Sequence, residues 1–179
     1  MEMLFDRWKK LNLDTSPIGL CPGGQEHYFC TPIGAKIFAW DNGIHYCFVE
    51  GFGETVFCVN PETCCEHYVY PIARSFSDFL KLLMALKTAN TIQQIVWMNK
   101  KEFEDFVNDP NELEYVRSVE VTHILEIIGE LLGISPMEGA FEYVKELQKN
   151  FSYDQIKYSD EFYDITGMER YIEKTSGNE

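Results

Sequence analysis

Residues 42–61 read NGIHYCFVEGFGETVFCVNP and place His45, Cys47, Glu54 and Cys58 on what the pattern marks as a pair of strands. Imidazole, thiolate and carboxylate are the donors of zinc sites, and a thiol beside an imidazole is the core of a cysteine nucleophile. Whether these groups meet depends on one residue of register. If Gly51-Phe52-Gly53 is a three-residue loop, Cys47 faces Phe57 and Tyr46 faces Cys58, so the two cysteines lie on opposite sides of the sheet. If Gly51-Phe52 alone makes a primed turn, His45 lies opposite Cys58 and Cys47 opposite Val56, and His45, Cys47, Glu54 and Cys58 share a face. Both registers are open at this level. No close pair such as Cys-x-x-Cys is present, and free cysteine packs as a small hydrophobe, which weighs toward structural thiols.

Other clusters are weaker. CVNPETCCEH gathers Cys58, Cys64, Cys65 and His67, but adjacent residues of an extended chain point apart, so one ion would need the loop to curl. A nucleophile pair drawn from Cys47 or Cys65 with His45 or His67 has no local signature and no third group to orient the base. His123 sits near Glu120, Glu126 and Glu130, yet His123, Glu126 and Glu130 fall opposite an apolar stripe, as a solvated helix face does. Phosphate-loop, dinucleotide and zincin motifs are absent. Catalytic residues, metal ligands and cofactors are therefore assigned to none of the chain; a metal-dependent or thiol enzyme built on the His/Cys/Glu clusters is the alternative.

The signal that remains is acidic. The chain carries 15 basic and 29 acidic residues, net -14, with 5 and 9 of them in residues 1–74 and 10 and 20 in residues 75–179. Such a surface repels phosphate backbones and anionic lipid, which argues against direct nucleic-acid or membrane binding, and it speeds encounter with a basic protein. From Glu102 to Glu130 there are nine carboxylates and one base, Arg117. Within this stretch EFEDFVNDPNELEY interleaves aromatics with acids across a helix end and a loop. Glu102, Glu104, Asp105, Asp109, Glu112, Glu114 and Tyr115 form the candidate partner-binding strip, with an aromatic anchor and electrostatic steering.

These residues need elements to hold them. Four runs rich in Val, Ile, Phe and Tyr (AKIFAW, IHYCFVE, TVFCVN and HYVYPI) are divided by DNG, GFG and NPETCC, and Asn42-Gly43 suits a tight primed turn. A meander is the economical reading. After Arg74 the period lengthens to that of a helix. Ser75 caps SFSDFLKLLMALK, with Phe76, Phe79, Leu80, Leu83 and Leu86 on one face. Asn99 with Glu102 starts a second helix that the Asp109-Pro110 step ends. A third spans 118–132, with Val121, Ile124, Leu125, Ile128 and Leu132 inward and Gly133 as its stop. Ser135-Pro136-Met137-Glu138 opens a fourth. The predicted fold is α+β, an antiparallel meander of about four to six strands packed by several helices.

At 179 residues one domain is expected: an opening segment 1–30, loosely attached; the meander 31–73; a helical half 75–150; and a tail 151–179 that returns as an edge strand or lies across the surface, with SGNE frayed. The N-terminus MEMLFDRWKK has no apolar signal core and no run approaches the roughly 18 apolar residues of a membrane span. A cytoplasmic location with reduced thiols is the expectation.

The run PIGAKIFAWDNGIHYCFVEGFGETVFCVNP followed by YVYPIARSFSDFLKLLMA resembles the SUKH superfamily, the Smi/Knr-type fold of yeast cell-wall regulators and bacterial toxin-immunity proteins. Short strands lead into a Ser-capped helix of the form SFxDFLxLL, at residues 75–83. The resemblance covers roughly residues 31–90, rests on hydrophobic patterns, and does not extend to the family's N-terminal opening. It implies a non-enzymatic α+β binding module and, for bacterial members, neutralisation of toxins, often nucleases. The expectation is a protein-binding module, an immunity-type inhibitor that meets a basic toxin through an acidic surface. A regulatory or scaffold subunit unrelated to toxins is the other reading of the same features.

Overall fold

A computed structural model describes residues 3–23, 26–63 and 65–170. Among these are four strands, β1 (Ala35–Asp41), β2 (Ile44–Val49), β3 (Val56–Val59) and β4 (Val69–Ala73), in one antiparallel sheet ordered β1-β2-β3-β4. Eight helices accompany them: α1 (Leu4–Lys10), α2 (Phe76–Leu86), α3 (Ala89–Gln94), α4 (Lys100–Val107), α5 (Pro110–Val116), α6 (Val119–Leu132), α7 (Ala140–Lys149) and α8 (Asp160–Thr166). The architecture is α+β. No helix among the described residues is long and apolar enough to cross a membrane.

The β1–β2 turn forms at Asn42-Gly43 because both residues hold positive φ, 48° and 88°, which Asn and Gly tolerate and most residues do not. All four residues of β3 are buried, so the sheet is covered on both sides. On one side Tyr46, Cys58 and Ile72 meet α2 through Phe79, Leu80 and Leu83, in a cluster that continues to Ile18, Ile128 and Val144. On the other side Cys47, Phe57, Val59 and Val69 meet Cys30, Ile156 and Phe162. Fully burying one such large side chain stabilises the fold by about 1.5–3 kcal/mol, so neither layer is incidental.

Local chemistry accounts for most helix boundaries. The Ser75 hydroxyl accepts from the Asp78 N–H, Asn99 and Glu102 complete a reciprocal capping box, and Gly133 ends α6 in the left-handed conformation. Val121, Ile124, Leu125, Ile128 and Leu132 are all buried, as the apolar stripe predicts. Three boundaries differ from expectation. Asp109-Pro110 ends α4 and also starts α5, since the Asp109 carboxylate accepts from the N–H groups of Asn111 and Glu112 and proline fits the first helical turn. Thr88 caps the polar helix α3, which has no apolar stripe to announce it. Ser135-Pro136 does not open α7: the Met137 N–H donates to the Lys81 carbonyl at 3.0 Å, which ties this stretch to α2, and the helix starts at Ala140 after Gly139.

The opening segment is held more firmly than its Pro/Gly punctuation suggests. Phe5 and Trp8 of α1 pack on Phe76, with ring centroids 4.9 and 5.5 Å away, and Ile18 and Leu20 are fully buried. Cys21 pairs with the edge of β1 at Trp40. Among its described residues, 151–170, the tail forms no edge strand; after a 3-10 turn (Tyr153–Gln155) it crosses the second side of the sheet to α8. The SGNE residues lie outside the described residues.

Candidate functional site

The hairpin cluster is separated by its register. Tyr46 pairs with Cys58 and Cys47 with Phe57, the arrangement of the three-residue loop. His45 and Cys47 therefore face away from Cys58, and Glu54 is exposed in the turn. The His45 ring lies 4.6 Å from Trp40 and 5.9 Å from Tyr28, with Nε2 3.1 Å from Thr31 Oγ1 and Nδ1 3.4 Å from the Gly43 carbonyl oxygen. Burial pulls its pKa down to about 4. It pushes the Cys30 and Cys58 thiols up to about 12 and Cys47 higher still. A neutral imidazole and protonated thiols are poor parts for nucleophilic chemistry near neutral pH. These residues pack; they do not converge.

Cys64 lies outside the described residues, and the His67 ring is stacked on Tyr153 at 3.8 Å. His123, Glu126 and Glu130 are exposed on the outer face of α6. Among the described residues no three His, Cys, Asp or Glu side chains are grouped closely enough to hold a metal ion.

The acidic strip maps onto α4 and α5, which the Asp109 cap joins. Several of its members have structural duties. Glu102 closes the Asn99 capping box, Asp105 pairs with Lys101 at 2.7 Å, and Glu112 accepts from Thr91 Oγ1 at 3.0 Å. The Tyr115 hydroxyl donates to the Pro17 carbonyl at 2.7 Å while the side chain stays 48% exposed. Glu104 and Glu114 are exposed, and their carboxylates form no hydrogen bond or ion pair with described residues. Two carboxylates thus remain available for a partner, with Asp105 and Asp109 exposed beside them.

Between α2, α4, α5 and α6 the structure holds a groove of about 400 Å³, whose lining includes Leu86, Phe103, Val107, Leu113 and Val116. Glu112, Lys87 and Arg117 also line it. The floor is apolar and its charged lining is mixed, one carboxylate already hydrogen-bonded to Thr91 and two cations, while the exposed carboxylates of α4 and α5 stand on two of the helices that form it. The acids are legible in the sequence; the apolar floor is not. Leu113 and Val116, three apart after a proline, were its one visible sign, and the misplaced loop hid them.

In comparisons with protein families, curated proteins and solved structures, nothing matches this chain.

Proposed function

We propose that this chain is a non-catalytic protein-binding module, an immunity-type inhibitor that meets a basic, nuclease-type toxin domain through the acidic face of α4 and α5. The observation that carries the reading is the exposed acidic face of α4 and α5, where Glu104 and Glu114 form no hydrogen bond or ion pair with described residues and stand beside exposed Asp105 and Asp109. The net charge of -14 and the resemblance of residues 31–90 to the SUKH pattern support it. A cytosolic location goes with the reading, because a toxin acting on nucleic acid must be met there.

The test reads the genes beside this one and uses the full chain with a toxin-type domain that one of them encodes; neighbours that encode no such domain count against the toxin reading. Binding is measured for the wild type and for Glu104→Gln/Asp105→Asn/Glu114→Gln from low to physiological salt. The expected result is affinity that falls with salt, and at low salt a loss of about tenfold in the triple variant, through slower association. Affinity indifferent to both salt and the triple substitution would overturn the electrostatic reading.

A further inference from the structure

On the opposite side of the molecule from α2, the tail borders an open cavity of about 210 Å³ beside Tyr68, the residue before β4. Four tyrosines, Tyr68, Tyr153, Tyr158 and Tyr163, line it together with Phe162. Tyr68 and Tyr163 stand at 86° and 89° to the Phe162 plane, and Tyr158 lies parallel to it at 3.9 Å. The rings therefore form walls at right angles and not a single stack. Glu66, Asp154 and Glu169, with His67, Ile156 and Met168, complete the lining, to which no lysine or arginine among the described residues contributes. Aromatic faces and carboxylates around one small space have a common complement, an organic cation.

The chain itself illustrates the chemistry. The Arg170 guanidinium lies 5.0 Å from the Tyr163 ring centroid and pairs with Asp160 at 2.7 Å. A planar guanidinium suits such a place better than an ammonium, since it stacks on a ring and engages a carboxylate with two N–H groups at once. The volume is below the roughly 300–1,000 Å³ of sites for drug-sized molecules, so it matches the tip of one side chain. Burial holds the Tyr153 and Tyr158 phenols well above their usual range, so both rings stay neutral.

We propose that this aromatic and acidic cavity receives the guanidinium of an arginine side chain presented by a partner protein. The proposal rests on the preceding reading only in taking the partner to be basic; the two surfaces are separate.

The test titrates the full chain with N-acetyl-Gly-Arg-Gly-amide, followed by aromatic NMR shifts. The peptide with citrulline in place of arginine, the same shape without the charge, is the control, and choline is a second probe. Millimolar binding of the arginine peptide is expected, with shifts confined to the rings that line the site, His67, Tyr68, Tyr153, Tyr158, Phe162 and Tyr163, and ring-current shifts on the arginine δ-methylene. Citrulline should bind much more weakly. Tyr163→Leu should weaken binding about two- to fivefold. Glu66→Gln, at an exposed position that leaves folding intact, should weaken it similarly. Equal binding of citrulline, absence of binding at tens of millimolar, shifts elsewhere, or choline binding more tightly than the arginine peptide would each overturn the assignment. Glu66→Gln leaves α4 and α5 untouched, so failure here and failure of the acidic-face reading are distinguishable.

Discussion

The Tyr46 hydroxyl donates to the carbonyl oxygen of Ala89 across 3.1 Å, joining the middle of β2 to the first residue of α3 inside the core. Both residues are fully buried. Tyr46→Phe keeps the ring packing and removes only this bond, so it should lower unfolding free energy by about 0.5–1.5 kcal/mol. Urea denaturation would show a lower midpoint with an unchanged slope.

His45 makes stability depend on pH. Its pKa in the folded chain is about 4, against an ordinary 6.5, because burial disfavours the charged ring. Below pH 6.5 the unfolded chain takes up a proton that the folded chain refuses. Stability from this group is therefore full above pH 6.5, falls as pH drops toward 4, and levels off below. The total loss is up to about 3 kcal/mol. His45→Gln should flatten that part of the stability profile; identical slopes in the two proteins would refute the assignment.

Asp109 separates a structural from an electrostatic duty. Asp109→Asn retains a capping side chain and should leave stability nearly unchanged, whereas Asp109→Ala should cost about 1 kcal/mol. Thermal melting of the pair checks this. If both substitutions cost the same, the carboxylate charge, and not the cap, holds α5.

Gly34 has φ +77°, and a Cβ built there would lie 2.9 Å from Glu50 Cβ. Gly34→Ala is thus penalised twice, by conformation and by contact, and should destabilise by about 1–2 kcal/mol. The double variant Gly34→Ala/Glu50→Gly, which removes the contacting carbon, should recover part of the loss, measured by the same denaturation midpoint.

Thiol accessibility follows the two-layered core. Cys30, Cys47 and Cys58 are buried, with raised pKa values, and Cys21 and Cys65 are partly exposed. Iodoacetamide at mildly alkaline pH should modify Cys21 and Cys65 in the native protein and reach Cys30, Cys47 and Cys58 only after denaturation, as mass spectrometry of peptides would show. Native alkylation of Cys47 would contradict the packing described for β2.

Features written in contiguous residues were legible in the sequence. Asn42-Gly43 specifies its own turn, Asn99 and Glu102 their own capping box, and the stripe from Val121 to Leu132 its own buried face. What depended on distant partners was not. Ser135-Pro136 has every local mark of a helix start and is overruled by one bond to Lys81. The Asp-Pro step is chemically ambiguous, since it stops one helix as readily as it begins another. The register at Gly51-Phe52-Gly53 left two outcomes open, and packing of Phe52 on Phe57 and Phe151 accompanies the one observed. VFCV in β3 carried the unread clue: a strand apolar at every position, without alternation, is covered on both sides. The candidate strip was visible as charge, while its groove required knowing that α5 is a helix.

The second cover of the sheet comes from residues near the other end of the chain, Ile156 and Phe162. A ribosome finishes β1 to β4 long before it delivers them. In that interval the nascent protein displays Cys47, Phe57, Val59 and Val69 as an adhesive plane, the type of exposed surface that chaperones hold and aggregates recruit. A premature stop shortly after α7 would thus yield a sticky polypeptide and not a merely shorter one.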